Sequence, residues 1–253
     1  MMQLIINENK LLEDCIEQKK LLNDITLNYF INLLIRKNKN IDNKKLARYI
    51  LDIVLSIDLE ESSDNQEYKL FEKIKRNILK ERNFDNQIRD IDYIPLYEKE
   101  LELIKGLKTD REKKFIFTCI IVARLFNKDG WFNIPFKDLF KLANMSMKSE
   151  DMNKFIFGMK EKELIYEPIS NKNSSLHIDF IEEGKEIIKI YEMKNLGNQI
   201  LAELKPNYKQ CVNCGKIIKI KGNKTMYCES CAEKMIKKSW KTASEKYRNN
   251  QKS

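Results

Sequence analysis

Histidine occurs once, proline four times and glycine seven times in 253 residues, and each shortage removes a class of answer. A single histidine leaves little general-base capacity, and no HExxH pair, phosphate-cradling Gly-rich loop or Ser/His/Asp set accompanies it. The chain is therefore expected not to be an enzyme. Scarce glycine and proline beside abundant Leu, Ile, Lys and Glu favour helices over a sheet-rich fold. No run approaches the roughly 18 to 20 apolar residues of a membrane span. The opening MMQLIINENKLLEDC has neither the basic stretch nor the apolar core of an export signal. Together these absences predict a cytoplasmic protein without membrane contact.

Acidic residues are also scarce in one place. The chain carries a formal net charge of +9, yet the segment from residue 205 to the end holds thirteen Lys or Arg against three Asp or Glu. The first 204 residues are nearly balanced, so the whole positive excess lies in the last fifth, where a local field attracts polyanions. Four metal-bound thiolates would trim that tail only to about +8.

Residues 1–94 read as a helical module. Ile25, Tyr29, Phe30, Leu33 and Leu34 form one apolar stripe, Leu46, Ile50 and Ile53 a second, and Leu70, Phe71, Ile74 and Ile78 a third. The acidic connector DLEESSDNQE over 58–67 predicts a solvated loop. Polar residues over 83–95, ending at Pro95, predict a hinge.

Residues 95–204 are expected to form a winged-helix-like domain. The string REKKFIFTCIIVARLF over 111–126 predicts a central buried helix, and WFNIP a short strand after the turn-like NKDG. A brief helix over FKDLFKLA and a second over 149–163 then give a helix-turn-helix, and extended runs over 164–169 and 176–181 give a hairpin wing. In a DNA complex the second helix would offer Ser149, Asn153, Lys154 and Lys160, and the wing Asn171, Lys172 and Asn173. Glu150 and Asp151 suit the helix dipole and would repel phosphate. His177 reads as a strand residue, and Asp179, Glu183 and Lys185 as a solvated turn.

Residues 205–253 carry the strongest motif, two Cys-x-x-Cys pairs thirteen residues apart: Cys211, Cys214, Cys228 and Cys231. Two tight turns aim two thiolates each at one ion, so the pattern predicts a Zn²⁺ ribbon. The intervening KIIKIKGNKTMY is expected to fold as a hairpin turning at Gly222 and Asn223. Two disulfides are the rival, disfavoured by the missing export signal; an iron-sulfur cluster has the same ligand count. Cys15 and Cys119 read as ordinary buried thiols. Beyond Cys231, Ile236, Trp240, Ala243 and Tyr247 repeat at helical spacing among lysines, which predicts a basic helix. It either binds nucleic acid or packs Trp240 onto its own ribbon. Lys219, Lys221, Lys224, Lys237, Lys238, Trp240, Lys241 and Arg248 are the candidate nucleic-acid residues of this tail.

With CVNCGKIIKIKGNKTMYCESCAEK and GWFNIPFKDLFKLANMS in view, the chain resembles a family of uncharacterised proteins of phages and prophages of low-GC Gram-positive bacteria. The resemblance implies a mobile-element context, not a mechanism. The expected whole is a mainly α protein with small β elements, an α+β chain that binds nucleic acid, DNA favoured. The alternative is an adaptor or inhibitor that grips a host protein without catalysis.

Overall fold

The structure is a computed structural model that describes residues 4–22, 25–57, 64–81, 88–126, 129–167, 175–179, 184–214, 217–220, 222 and 225–250, without the side chains of 238 and 241–250. The described residues form ten helices and three two-stranded sheets, a mixed architecture of helices with small antiparallel pairs. The chain divides between Ile94 and Pro95 into two compact units, and the residues from 205 onward belong to the second. No helix among the described residues is long and apolar enough to cross a membrane. Lys172, Lys221, Lys224, Asn223 and Glu183 lie outside the described residues, as do 168–174 of the expected wing.

The first unit is built by α1 (Glu8–Glu17), α2 (Leu27–Lys37), α3 (Asn43–Ser56) and α4 (Asp64–Glu81). Each early start has its polar cap: the Asn7, Thr26 and Asp42 side chains accept the Lys10, Tyr29, and Lys44 and Lys45 N–H groups. Those N–H bonds hold the exposed Asp42 carboxyl below its usual pKa. The stripes at helical spacing converge on one core of Leu12, Phe30, Leu34, Leu46, Ile50, Val54, Ile74 and Ile78. The acidic connector is shorter than its composition suggests. Asp64 to Glu67 form the first turn of α4, where negative side chains favour the helix dipole.

In the second unit, β1 (Ile94–Tyr97) pairs with the remote β4 (Glu186–Ile190), and α5 (Glu98–Gly106) follows β1 directly. Arg124 locks this corner, donating to the Pro95 carbonyl at 2.7 Å and to buried Glu100 at 2.6 Å. The central helix α6 (Asp110–Phe126) is buried almost all round, from Phe115 to Ala123 without a break. After it come β2 (Trp131–Asn133), α7 (Phe136–Leu142), α8 (Ser149–Glu161) and β3 (Ser175–His177). Strand β2 pairs antiparallel with β3, Phe132 opposite Leu176, and Tyr166 bridges His177 on the other side. Among the described residues of the run 164–169 the bridge is at Tyr166, and β3 begins one residue earlier than the sequence suggests. Asn144 ends the α7 turn with φ +53°, a left-handed geometry that asparagine tolerates.

Helix α9 (Leu196–Leu204), absent from the sequence-based expectation, packs along α6. Gly197 lets α9 also come close to the end of α7, because a Cβ there would sit 2.0 Å from the Ala143 carbonyl oxygen. Strands β5 (Tyr208–Gln210) and β6 (Ile217–Lys219) and the long α10 (Glu229–Asn250) complete the chain.

Candidate metal centre and nucleic-acid interface

Strands β5 and β6 pair in register, Lys209 opposite Ile218, so the Cys211–Cys214 turn is the tip of their hairpin. This differs from the expected hairpin, whose two strands lay between the cysteine pairs. The reason is local: a Cys-x-x-Cys turn already reverses the chain, and the β-branched residues on its far side pair back across it. The Thr225 N–H donates to the Gly222 carbonyl at 2.9 Å, and the Val212 N–H in the first cysteine turn donates to the Met226 carbonyl at 3.1 Å. Cys228 and Cys231 follow, the latter in the first turn of α10.

The four sulfurs of Cys211, Cys214, Cys228 and Cys231 all lie within 4.8 Å of one another, a possible metal site. Three of these cysteines are buried and Cys214 is exposed. The Cys214 and Cys228 sulfurs are 3.7 Å apart, far beyond the roughly 2.05 Å of a disulfide. Donors point at the cluster from outside it. The Cys228 N–H reaches Cys211 Sγ at 3.3 Å, Asn213 Nδ2 reaches Cys231 Sγ at 3.3 Å, and the Ser230 hydroxyl lies 3.3 Å from Cys228 Sγ. Burial alone raises the Cys211 pKa, but N–H groups of Cys228, Asn213 and Cys214 outweigh it and bring the thiol down to about 6. Cys228 is likewise lowered, first by the Ser230 hydroxyl and then by the Cys231 N–H. Thiolate is the form that ligates a cation, and the shifts of Cys211 and Cys228 are in its favour.

Cys15 and Cys119 sit apart in the two cores, and burial pushes both thiols up. His177 is spoken for within β3: Nδ1 lies 2.8 Å from Asp179 and Nε2 2.9 Å from the Asp129 carbonyl.

Asn198 ties the cysteine hairpin to the helical part of its own unit. Asn198 of α9 donates through Nδ2 to the Ile217 carbonyl at 3.2 Å, accepts from Lys114 Nζ at 2.9 Å, and donates its N–H to Asn144 Oδ1 at 3.2 Å. Asn144 in turn donates to Asn195 Oδ1 at 2.9 Å. Residue spacing does not announce this relay, since the direct partners of Asn198 lie 19, 54 and 84 positions away.

The candidate nucleic-acid residues fall into two groups. On α8, Lys154 is ion-paired with Glu150 at 2.7 Å and Lys160 with Glu167 at 2.6 Å, so their charges are already matched. On β6 and α10, Lys219, Lys237 and Trp240 face solvent, Trp240 at 72% exposure. The tryptophan is therefore not packed onto its own ribbon. Lys238, Lys241 and Arg248 belong to α10. Comparison with family models, with curated proteins and with solved structures finds no match.

Proposed function

We propose that the protein is a non-catalytic nucleic-acid-binding accessory or regulatory factor, of phage origin and favouring DNA, held together at its C-terminal end by one structural Zn²⁺. The observation that carries this reading is the four-sulfur cluster set within the segment from residue 205 that holds the chain's positive excess, followed by a helix that leaves Trp240 bare. A tetrahedral zinc with Zn–S bonds of about 2.3 Å needs sulfurs about 3.8 Å apart. The 3.7 Å between Cys214 and Cys228 suits that edge. An iron-sulfur cluster would hold its thiolates around a larger core than the 4.8 Å limit suggests.

In this reading the ribbon and α10 supply phosphate affinity, Trp240 offers a stacking face, and the order α6, β2, α7, α8, β3 acts as a winged helix that positions the complex. The ion pairs of Lys154 and Lys160 argue that α8 adds little charge to the grip. The test is fluorescence anisotropy of a random duplex and a random single strand across a salt series, with a chain truncated after residue 204 beside the full one. Affinity is expected to fall by roughly one power of salt per phosphate neutralised and to vanish on truncation. Retained affinity would move the grip to the winged helix.

A second reading, an adaptor for a host protein, draws on the first unit. There Lys44, Arg48 and Lys75 line a groove of about 380 Å³ together with Phe71, Ile78 and Leu79. Binding to an acidic protein with no retention on DNA would favour it.

A further inference from the structure

The second unit contains a small cavity that neither the sequence motifs nor the metal cluster accounts for. Asp110, Arg111 and Lys114 of α6, Ser146 of the turn between α7 and α8, and Tyr208 of β5 line a space of about 260 Å³. That is below the roughly 300 to 1,000 Å³ of pockets that take drug-sized molecules, so a compact ligand suits it.

Its charge is one-sided. Lys114 is half-buried and spends one N–H on Asn198. Burial holds its pKa below the ordinary lysine value; Asp110 opposes this, and the charge of Lys219 adds to the depression. Asp110 is the one acidic lining residue, and both its oxygens are taken by Lys205 at 2.6 and 2.8 Å. Arg111 is exposed, with no ion pair among the described residues. The Tyr208 phenol is raised by burial and by Asp110, so it stays protonated as a donor. Two cations without matching carboxylates, two hydroxyls and a desolvated wall form a set that an anion would complete, and Arg and Lys are the residues that meet phosphate oxygens.

We propose that this cavity seats one phosphate group of a nucleic-acid backbone, with Lys114 and Arg111 supplying charge and Tyr208 and Ser146 supplying hydroxyl donors. The phosphate chemistry stands on the cavity itself; only its source rests on the function proposed above. The position is informative, because the wall holds both the helix-turn-helix turn and the first strand of the cysteine hairpin. A backbone phosphate seated there touches the two modules at once.

The test uses the full-length, metal-loaded protein and the variants Arg111→Gln and Lys114→Gln, the first at an exposed position where folding is safe. One arm replaces chloride by inorganic phosphate at matched ionic strength and follows the backbone amides of residues 144–147 by ¹H–¹⁵N NMR. The other measures affinity for a random duplex across a salt series. Phosphate is expected to shift those amides in the wild type and not in the variants. Each variant is expected to weaken duplex binding about 3- to 10-fold and to lower the salt slope by about one. Amide shifts with phosphate but no duplex binding would keep the seat, assign it to free phosphate and sink the nucleic-acid reading. Duplex binding that both variants leave untouched, with no response to phosphate, would overturn the seat and leave that reading standing.

Discussion

Glu8 is fully buried, and donors from three directions converge on its two oxygens: the Tyr29 hydroxyl at 2.5 Å, Arg89 through Nη2 at 2.6 Å and its backbone N–H at 2.9 Å, and Arg36 Nη1 at 3.3 Å. A buried carboxylate is tolerable only while such partners remain, since losing one leaves a desolvated acceptor. Tyr29→Phe is therefore expected to cost about 1 to 3 kcal/mol in urea unfolding at neutral pH. Burial, then the bond to Glu8 and its charge, push the Tyr29 pKa from 10.0 up to about 12. A folded value above the unfolded one means stability that is complete below pH 10 and lost as pH rises through about 12. The gap between wild type and Tyr29→Phe should then narrow across that window, and a constant gap would refute the assignment. None of this was legible in the sequence. The partners of Glu8 lie 21, 28 and 81 positions away, beyond any periodicity, whereas the four cysteines announced themselves because their spacing is local.

At the scale of elements, legibility followed burial pattern. Helices α6, α7 and α8 stood out because their apolar residues recur at helical spacing or fill every side, and β2 because a strand-like run sits between turn signals. Strand β4 did not, because its pairing with β1 spans some ninety residues and its side chains are mostly exposed. Helix α9 carries a glycine near its start, which propensity counts against a helix and packing requires. That conflict makes a paired test. At Gly158 on α8 a Cβ meets nothing within 4 Å, so Gly158→Ala should stabilise by about 0.5 to 1 kcal/mol. At Gly197 the same change drives a Cβ to 2.0 Å from the Ala143 oxygen and 2.6 Å from its carbonyl carbon, so Gly197→Ala should destabilise by about 1 to 3 kcal/mol or more. Thermal unfolding of the two variants measures both signs, and equal behaviour would mean that α9 does not approach α7 closely.

For the molecule as a whole, the division between Ile94 and Pro95 decides how far the influence of the proposed metal would reach. The first unit closes its core with residues of its own four helices and the segments that join them, and no cysteine of the cluster takes part. Among the described residues, the partly buried hydrophobics that pack against the buried cysteines are Ile218 and Tyr227, a small core. Metal ligation of this kind contributes about 10 to 16 kcal/mol in small zinc peptides at neutral pH, more than such a core supplies. Chelation, or Cys228→Ser, is therefore expected to abolish the binding of one zinc per chain and to melt the β5–β6 hairpin. The Asn198 bond to Ile217 then loses its partner strand, so amides near Asn144 and Asn198 should lose hydrogen-exchange protection as well. Amides of α2, α3 and α4 should keep theirs. Hydrogen exchange with and without a chelator resolves the units in one experiment, and protection lost uniformly along the chain would show that the metal stabilises both.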